Sequence, residues 1–382
     1  MPNPKAAARS PRRPKVGLVL GSGGARGLVH FEIIEGLLRM DIPIDLIAGS
    51  SIGAVVAGIY AAGGLPRLRE DLQTMKREDF VRLFDPALSR YGFFAGRKVM
   101  VFLRRYIPPE TRLEDLGLPL GIVATDYETG RPVVFRKGNL LEAIRASISI
   151  PGVFTPVRVG SKLLLDGGVV SPLPIDIAEQ MGGHLIVAVS LLPTIGKLRG
   201  ILPLGWKKRR GGDKPPPGRL PLKEKIARRL PPGRKEERRW LRIADQWLTA
   251  KNGEAGEPEK TPNLIDIVTR TIDIMAYTET RQMLAAHPPA VLFEFDFPDL
   301  GVLDFTRSQE LLDAARRAFE LKIPELTEKV KNACPCRCLR RLGKPGARSA
   351  EPGYSNREMI IRFWGLSMVF PSAVNRLSIR DR

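Results

Sequence analysis

The chain has 382 residues, of which 43% are hydrophobic and 27% charged, and its formal net charge is +20. That composition supports a packed core and excludes a wholly disordered, collagen-like or coiled-coil chain; at roughly 150 residues per domain the length allows one large domain with additions, or two domains. The charge is uneven: residues 1–15 carry +5, residues 195–260 carry +11, residues 333–382 carry +7, and the remainder is slightly acidic at −3.

In chain order, the basic stretch 1–14 reads as a flexible tail. Lys15–Gly21 is a strand running into a glycine loop, and Gly27–Met40 has helical spacing, with Leu28, Phe31, Ile34, Leu37 and Leu38 on one face. The apolar run Val16–Leu20 breaks at once into glycines, too short for a signal-peptide core or for the ~20 residues of a spanning helix. The expectation is a cytoplasmic protein with peripheral contact at the inner face of the membrane. Asp45–Ala48 is a strand and Ala54–Gly63 a helix of small residues. Leu120–Asp126, Arg131–Phe135, Lys162–Leu165 and His184–Ser190 read as further strands, with helices at Leu140–Ser147 and Ile175–Met181. Strands alternating with helices imply an α/β sheet with helices on both faces.

Residues 195–260 break the pattern with KKRR, PPP and PP runs, and read as a basic Pro/Gly-rich insertion. Inside it Glu236–Leu248 has the spacing of a basic helix, with Trp240, Ile243, Trp247 and Leu248 to one side. Clustered Lys and Arg with Trp206, Trp240 and Trp247 suit an anionic lipid surface or a lid; a solvated insertion without a binding role is the alternative. Regular structure resumes with a helix at Leu264–Ala276, a strand at Val291–Phe295 and a helix over about Ser308–Leu321. The 333–382 tail lacks periodicity and holds all three cysteines, Cys334, Cys336 and Cys338, so the main fold needs no disulfide.

Three short motifs carry chemistry. Gly21–Gly27 (GSGGARG) lies between a strand and a helix. It fails the dinucleotide spacing and lacks the Gly-Lys-Ser/Thr of a P-loop. It is either a tight turn or a run of backbone N–H groups suited to an anion, a transient oxyanion included. Gly49–Gly53 (GSSIG) fits G-x-S-x-G, with Ser51 at its centre and Ser50 an off-centre rival. With a strand before it and a helix after it, the serine occupies a sharp turn that presents its hydroxyl at the sheet edge, and the Ile52 N–H faces a developing oxyanion. Asp166–Gly168 (DGG) ends the Lys162–Leu165 strand, either as a turn or as the site of a general base. The histidines are three: His30 inside the first helix, His184 at a strand start and His287 before Pro-Pro. The first two read as structural; His287 fits the α/β-hydrolase order but lacks strand-end context. The shortage favours a carboxylate base, Asp166.

Taken in order, Gly23-Gly24-Ala25-Arg26-Gly27, the G-x-S-x-G at Gly49–Gly53 and the D-G-G at Asp166–Gly168 resemble the patatin-like phospholipase family, most closely its bacterial single-domain branch. Ala143–Val157 (AIRASISIPGVFTPV), Asp166–Asp176 and Leu303–Glu310 look familial as well. The resemblance covers about residues 15–193 and 262–325. It implies a three-layer α/β/α sandwich around a mainly parallel sheet, formed by residues 15–194 and 261–332. It also implies hydrolysis of lipid acyl esters without metal or other cofactor. Carried over by position, Ser51 would be the nucleophile and Asp166 its base, the amides of Gly23, Gly24 and Ile52 would hold the oxyanion, and Arg26 would shape the loop. Gly21, Gly27, Gly49, Gly53, Gly167 and Gly168 are the motif glycines.

The favoured reading is therefore a serine lipid acyl hydrolase acting on (lyso)phospholipids through a Ser–Asp dyad. The alternatives are the same dyad acting on thioesters or neutral glycerides, and a non-catalytic regulator or adaptor on this fold. Specific nucleic-acid binding is not expected, since its familiar motifs are missing.

Overall fold

The computed structural model describes residues 13–75, 79, 83, 85, 92–191, 264–297, 300 and 307–333, all within the unit Met1–Gly343. Residues 1–12, the whole insertion 195–260 with its expected helix at Glu236–Leu248, and residues 334–382 lie outside the described residues. The described strands are β1 (Val16–Leu20), β2 (Leu46–Ser50), β3 (Gly92–Phe94), β4 (Leu120–Asp126), β5 (Pro132–Phe135), β6 (Gly152–Phe154), β7 (Val157–Val159), β8 (Lys162–Asp166), β9 (Leu185–Ser190) and β10 (Val291–Glu294). The described α-helices are α1 (Leu28–Arg39), α2 (Ile52–Ala61), α3 (Leu65–Thr74), α4 (Arg97–Leu103), α5 (Leu140–Ser147), α6 (Ile175–Gln180), α7 (Leu264–Ala286) and α8 (Ser308–Ala333). Short 3-10 turns occupy Gly24–Gly27 and Gly167–Val169.

The main sheet runs β10-β9-β1-β2-β4, all parallel, with β5 antiparallel along β4 and the antiparallel β8–β7 pair also attached to β4. β3 and β6 form a separate parallel pair. β1, β2, β4 and β9 are buried along their full length, as parallel strands covered on both faces must be. Their side chains alternate between two cores. Leu18, Leu20, Ile47, Ile122, Val187 and Val189 point into one, shared with α1, α2, α5 and α8. Val19, Ala48, Val123, Ile186 and Ala188 point into the other, shared with α6 and α7. The architecture is the expected α/β/α sandwich.

Two helices outrun their sequence reading. α7 continues to Ala286, and α8 passes through Pro324 to Ala333. Proline removes one helical hydrogen bond, but Leu326 and Val330 beyond it are buried in the same core as Leu311, Ala315 and Phe319, so packing carries the helix past the defect. α1 buries Val29 and Ile33 besides the expected face, whereas Leu38 is 40% exposed. Helices α3 and α4 and strands β3, β6 and β7 were not anticipated.

One feature of the sheet places the site. β2 pairs with β4 up to Ser50↔Val123, and β8 pairs with β4 from Ala124↔Asp166 onward. β5 pairs with residues 122–125 of β4 and so takes the opposite edge. β2 and β8 therefore meet end to end on one edge of β4, each delivering its last residue to adjacent positions.

Candidate active site

Ser51 sits between β2 and α2 with φ 54° and ψ −120°. Among the described non-glycine residues only Asp41 shares a positive φ. Such a conformation costs about 1–3 kcal/mol and persists where its surroundings hold it. The sequence permits it through close approach: a Cβ on Gly53 would lie 2.0 Å from the Leu20 carbonyl oxygen, and one on Gly27 would lie 2.1 Å from Ile52 Cγ1. Glycine at both positions lets the first turn of α2 press against the end of β1 and against the glycine loop.

The hydroxyl of Ser51 donates to Asp166 Oδ2 at 2.6 Å, and both residues are buried. Asp166 Oδ1 accepts the Gly168 N–H at 2.7 Å, its own N–H donates to the Ser149 carbonyl at 3.0 Å, and its carbonyl accepts from Thr125 Oγ1 at 2.7 Å. Burial pushes the Asp166 carboxyl up to about 7, against the opposing pull of the bonds from Ser51 and Gly168. Desolvation disfavours the charged form, and the result is a carboxylate whose proton affinity suits general-base work near neutral pH.

The glycine loop is anchored on the same side. Gly21 N–H donates to Val189 O at 3.0 Å and Ser22 N–H to Pro172 O at 2.8 Å. His30 Nε2 is 2.8 Å from the Gly21 carbonyl. Burial pulls the His30 pKa down to about 4, so the ring is neutral and Nε2–H is the donor. The amides of Gly23 and Gly24 follow at the entry to the 3-10 turn, and that of Ile52 opens α2, at positions whose N–H groups have no intrahelical partner. The buried Arg26 guanidinium donates through Nη2 to the Leu300 carbonyl at 2.8 Å. Burial lowers its pKa, with the Asp273 and Asp296 carboxylates acting in the opposite sense. Its side chain braces the loop against the chain beyond β10.

The remaining candidates take no part in this contact. Ser50 is buried and its Oγ has no hydrogen-bond partner among the described residues. His287 Nδ1 pairs with Glu179 Oε2 at 2.7 Å, and His184 Nδ1 accepts the Lys15 N–H at 3.4 Å. Sequence reasoning assigned no role to Ser147 or Ser149, yet both bond the backbone of the Ser51–Asp166 pair. The available signal was two serines at the inward end of an amphipathic helix, inside the Ala143–Val157 stretch. Among the described residues no group of three or more His, Cys, Asp or Glu is placed to hold a metal ion, and no helix is long and apolar enough to cross a membrane.

Residues 18–179 match the family model described as patatin-like phospholipase. The chain is 34% identical over 337 residues to an uncharacterized NTE family protein of Mycobacterium bovis, covering 83% of this chain and 93% of that one. It is 32% identical over 185 residues to the mouse patatin-like phospholipase domain-containing protein 6, covering 46% of this chain and 13% of the mouse protein. Among solved structures it resembles VipD from Legionella pneumophila at 14% identity and a TM-score of 0.32, over 85% of this chain and 77% of that one.

Proposed function

The chain belongs to the patatin-like phospholipase family, and from that premise we propose that it is a serine hydrolase of fatty-acyl esters in (lyso)phospholipids, working through Ser51 and Asp166. The observation that carries this reading is the 2.6 Å bond from Ser51 Oγ to a buried Asp166 whose carboxyl is raised to about 7. Asp166 takes the hydroxyl proton as Ser51 Oγ attacks the ester carbonyl. The amides of Gly23, Gly24 and Ile52 receive the oxyanion, each such donor being worth on the order of 3 kcal/mol in the transition state. The tetrahedral adduct collapses, Asp166 returns the proton to the departing alcohol oxygen, and an acyl-serine remains. Water, deprotonated by Asp166, then attacks the acyl carbon; the acyl–Oγ bond breaks, Asp166 returns the proton to Ser51 Oγ, and the fatty acid leaves.

The test is release of p-nitrophenol from a medium-chain ester and of fatty acid from lysophospholipid vesicles. Wild type should turn over both. Ser51→Ala and Asp166→Asn should lose on the order of 10³-fold or more while remaining folded, as removal of a nucleophile or its base does. An active Asp166→Asn would move the base elsewhere, and a wild type inert to every ester would sink the hydrolase reading.

A further inference from the structure

The inference rests on the reading above and concerns what holds its two reacting side chains in register. We propose that the C-terminal end of α5 is a bracket for the Ser51–Asp166 pair, with Ser147 the positioning residue for the nucleophile. Ser147 is fully buried. Its hydroxyl donates to the Val123 carbonyl at 2.6 Å and accepts the Ser51 N–H at 2.9 Å. Since its one proton goes to Val123, a lone pair is left facing the Ser51 amide. Two residues on, the Ser149 carbonyl accepts the Asp166 N–H at 3.0 Å. The backbones of two residues 115 apart in sequence are thus tied to one three-residue segment.

That segment is itself fixed. Ser149 Oγ bonds the Arg145 carbonyl at 3.0 Å, and the Arg145 guanidinium reaches Ser149 Oγ, Ala95 O and Thr155 O at 2.8–2.9 Å. Val123 is the position at which β4 changes partner from β2 to β8, so the Ser147 hydroxyl bonds the sheet at the junction of the two strands that deliver the pair. Ser51 needs an external acceptor there. Its positive φ is unfavourable on its own, and the bond to Ser147 turns its N–H into the protein. The Ser51 amide is thereby withdrawn from the oxyanion donors, which leaves Gly23, Gly24 and Ile52 for that task.

The experiment is active-site titration with a fluorophosphonate probe, alongside steady-state hydrolysis of the p-nitrophenyl ester. In Ser147→Ala the N–H of Ser51 and the carbonyl of Val123 lose their shared partner, and the elbow relaxes. The labelling rate constant and kcat should each fall by about 10–100-fold, the scale of a sub-ångström to ångström misplacement, with KM unchanged and every molecule still labelled at long times. A merely structural role would reduce the labelled fraction and leave the rate constant of the folded molecules at the wild-type value, overturning the proposal. The near-isosteric Ser147→Cys, a weaker acceptor, should fall between wild type and Ser147→Ala; should the alanine variant fail to fold, a wild-type rate in the cysteine variant overturns the proposal. A wild type that takes no label would sink the hydrolase reading and this inference together. A labelled wild type with Ser147→Ala at equal rate would sink this inference alone.

Discussion

Asp166 and His30 are both buried ionisable groups, and they bend the pH response of the molecule in opposite ways. The Asp166 carboxyl sits at about 7 in the fold and near 3.9 in an unfolded chain. Between those values the native state holds a proton that the unfolded state has released, so stability falls as pH rises from about 4 to about 7. In the proposed mechanism the base is ionised Asp166, so kcat/KM should rise with pH through an acid limb centred near 7. The same rise that activates the site costs stability. Asp166→Asn keeps the shape and lacks the charge; its melting temperature should exceed that of wild type by several degrees at pH 8, with the gap closing towards pH 4. His30 has the reverse sign. It is held neutral with its pKa near 4, so wild type loses stability as pH falls from about 6.5 to about 4. Asp166→Asn shares that loss, which therefore cancels in the comparison. Thermal melts of both proteins across this range check the sign, and equal melting temperatures at pH 8 would contradict the buried-charge argument.

Elements transmit such constraints through contact distances. A Cβ at Gly53 would stand 2.0 Å from the Leu20 carbonyl oxygen, where real contacts stay beyond 3.0 Å. Gly53→Ala must therefore push the start of α2 away from β1 by about an ångström, a displacement that costs on the order of 100-fold in rate. Gly117→Ala, where an added Cβ meets nothing within 4 Å, should keep wild-type ester turnover and serves as the control. This contact also explains what was legible beforehand. Gly49 and Gly53 flank a serine between an apolar strand and a small-residue helix, and a strand–turn–helix of that kind is readable from local pattern alone. β2 extends two residues beyond its expected end, through Gly49 and Ser50, because pairing with β4 outweighs the low strand propensity of glycine. The bonds from Ser147 and Ser149 could not be read. They join segments about 100 and 20 residues apart, and no local periodicity records which buried hydroxyl meets which amide. The short β3 and β6 were hidden for the same reason, since each exists by pairing with the other.

At the scale of the whole molecule, the core that secures the fold is expected to be separable from the proposed Ser51–Asp166 dyad. Phe319 of α8 stacks on Phe293 of β10 at 5.8 Å and lies where a Cβ on Gly36 would be, joining α8 to α1 and the sheet within one helical layer. Phe319→Ala should cost about 3–5 kcal/mol, measurable by denaturant unfolding, while kcat per folded molecule stays at the wild-type value. A matching fall in kcat would show that the two are coupled. The charged layer outside this core points the same way: Glu32 is buried between Arg39 and Arg316, tying α1 to α8, and neither arginine touches Ser51 or Asp166. The end-to-end meeting of β2 and β8 on β4 has a dynamic consequence. Twisting or bending of the sheet displaces Ser51 and Asp166 by nearly the same vector, a common-mode motion that leaves their separation untouched. On β4 the two strand ends are one Val123–Ala124 step apart, and a peptide unit is among the stiffest coordinates in a protein, so their separation rests on that step and on the hydrogen bonds that fasten each strand end to it. The two residues therefore travel with the sheet as one body, and changes of length in loops that leave β4 and the end of α5 in place would leave the pair as it is.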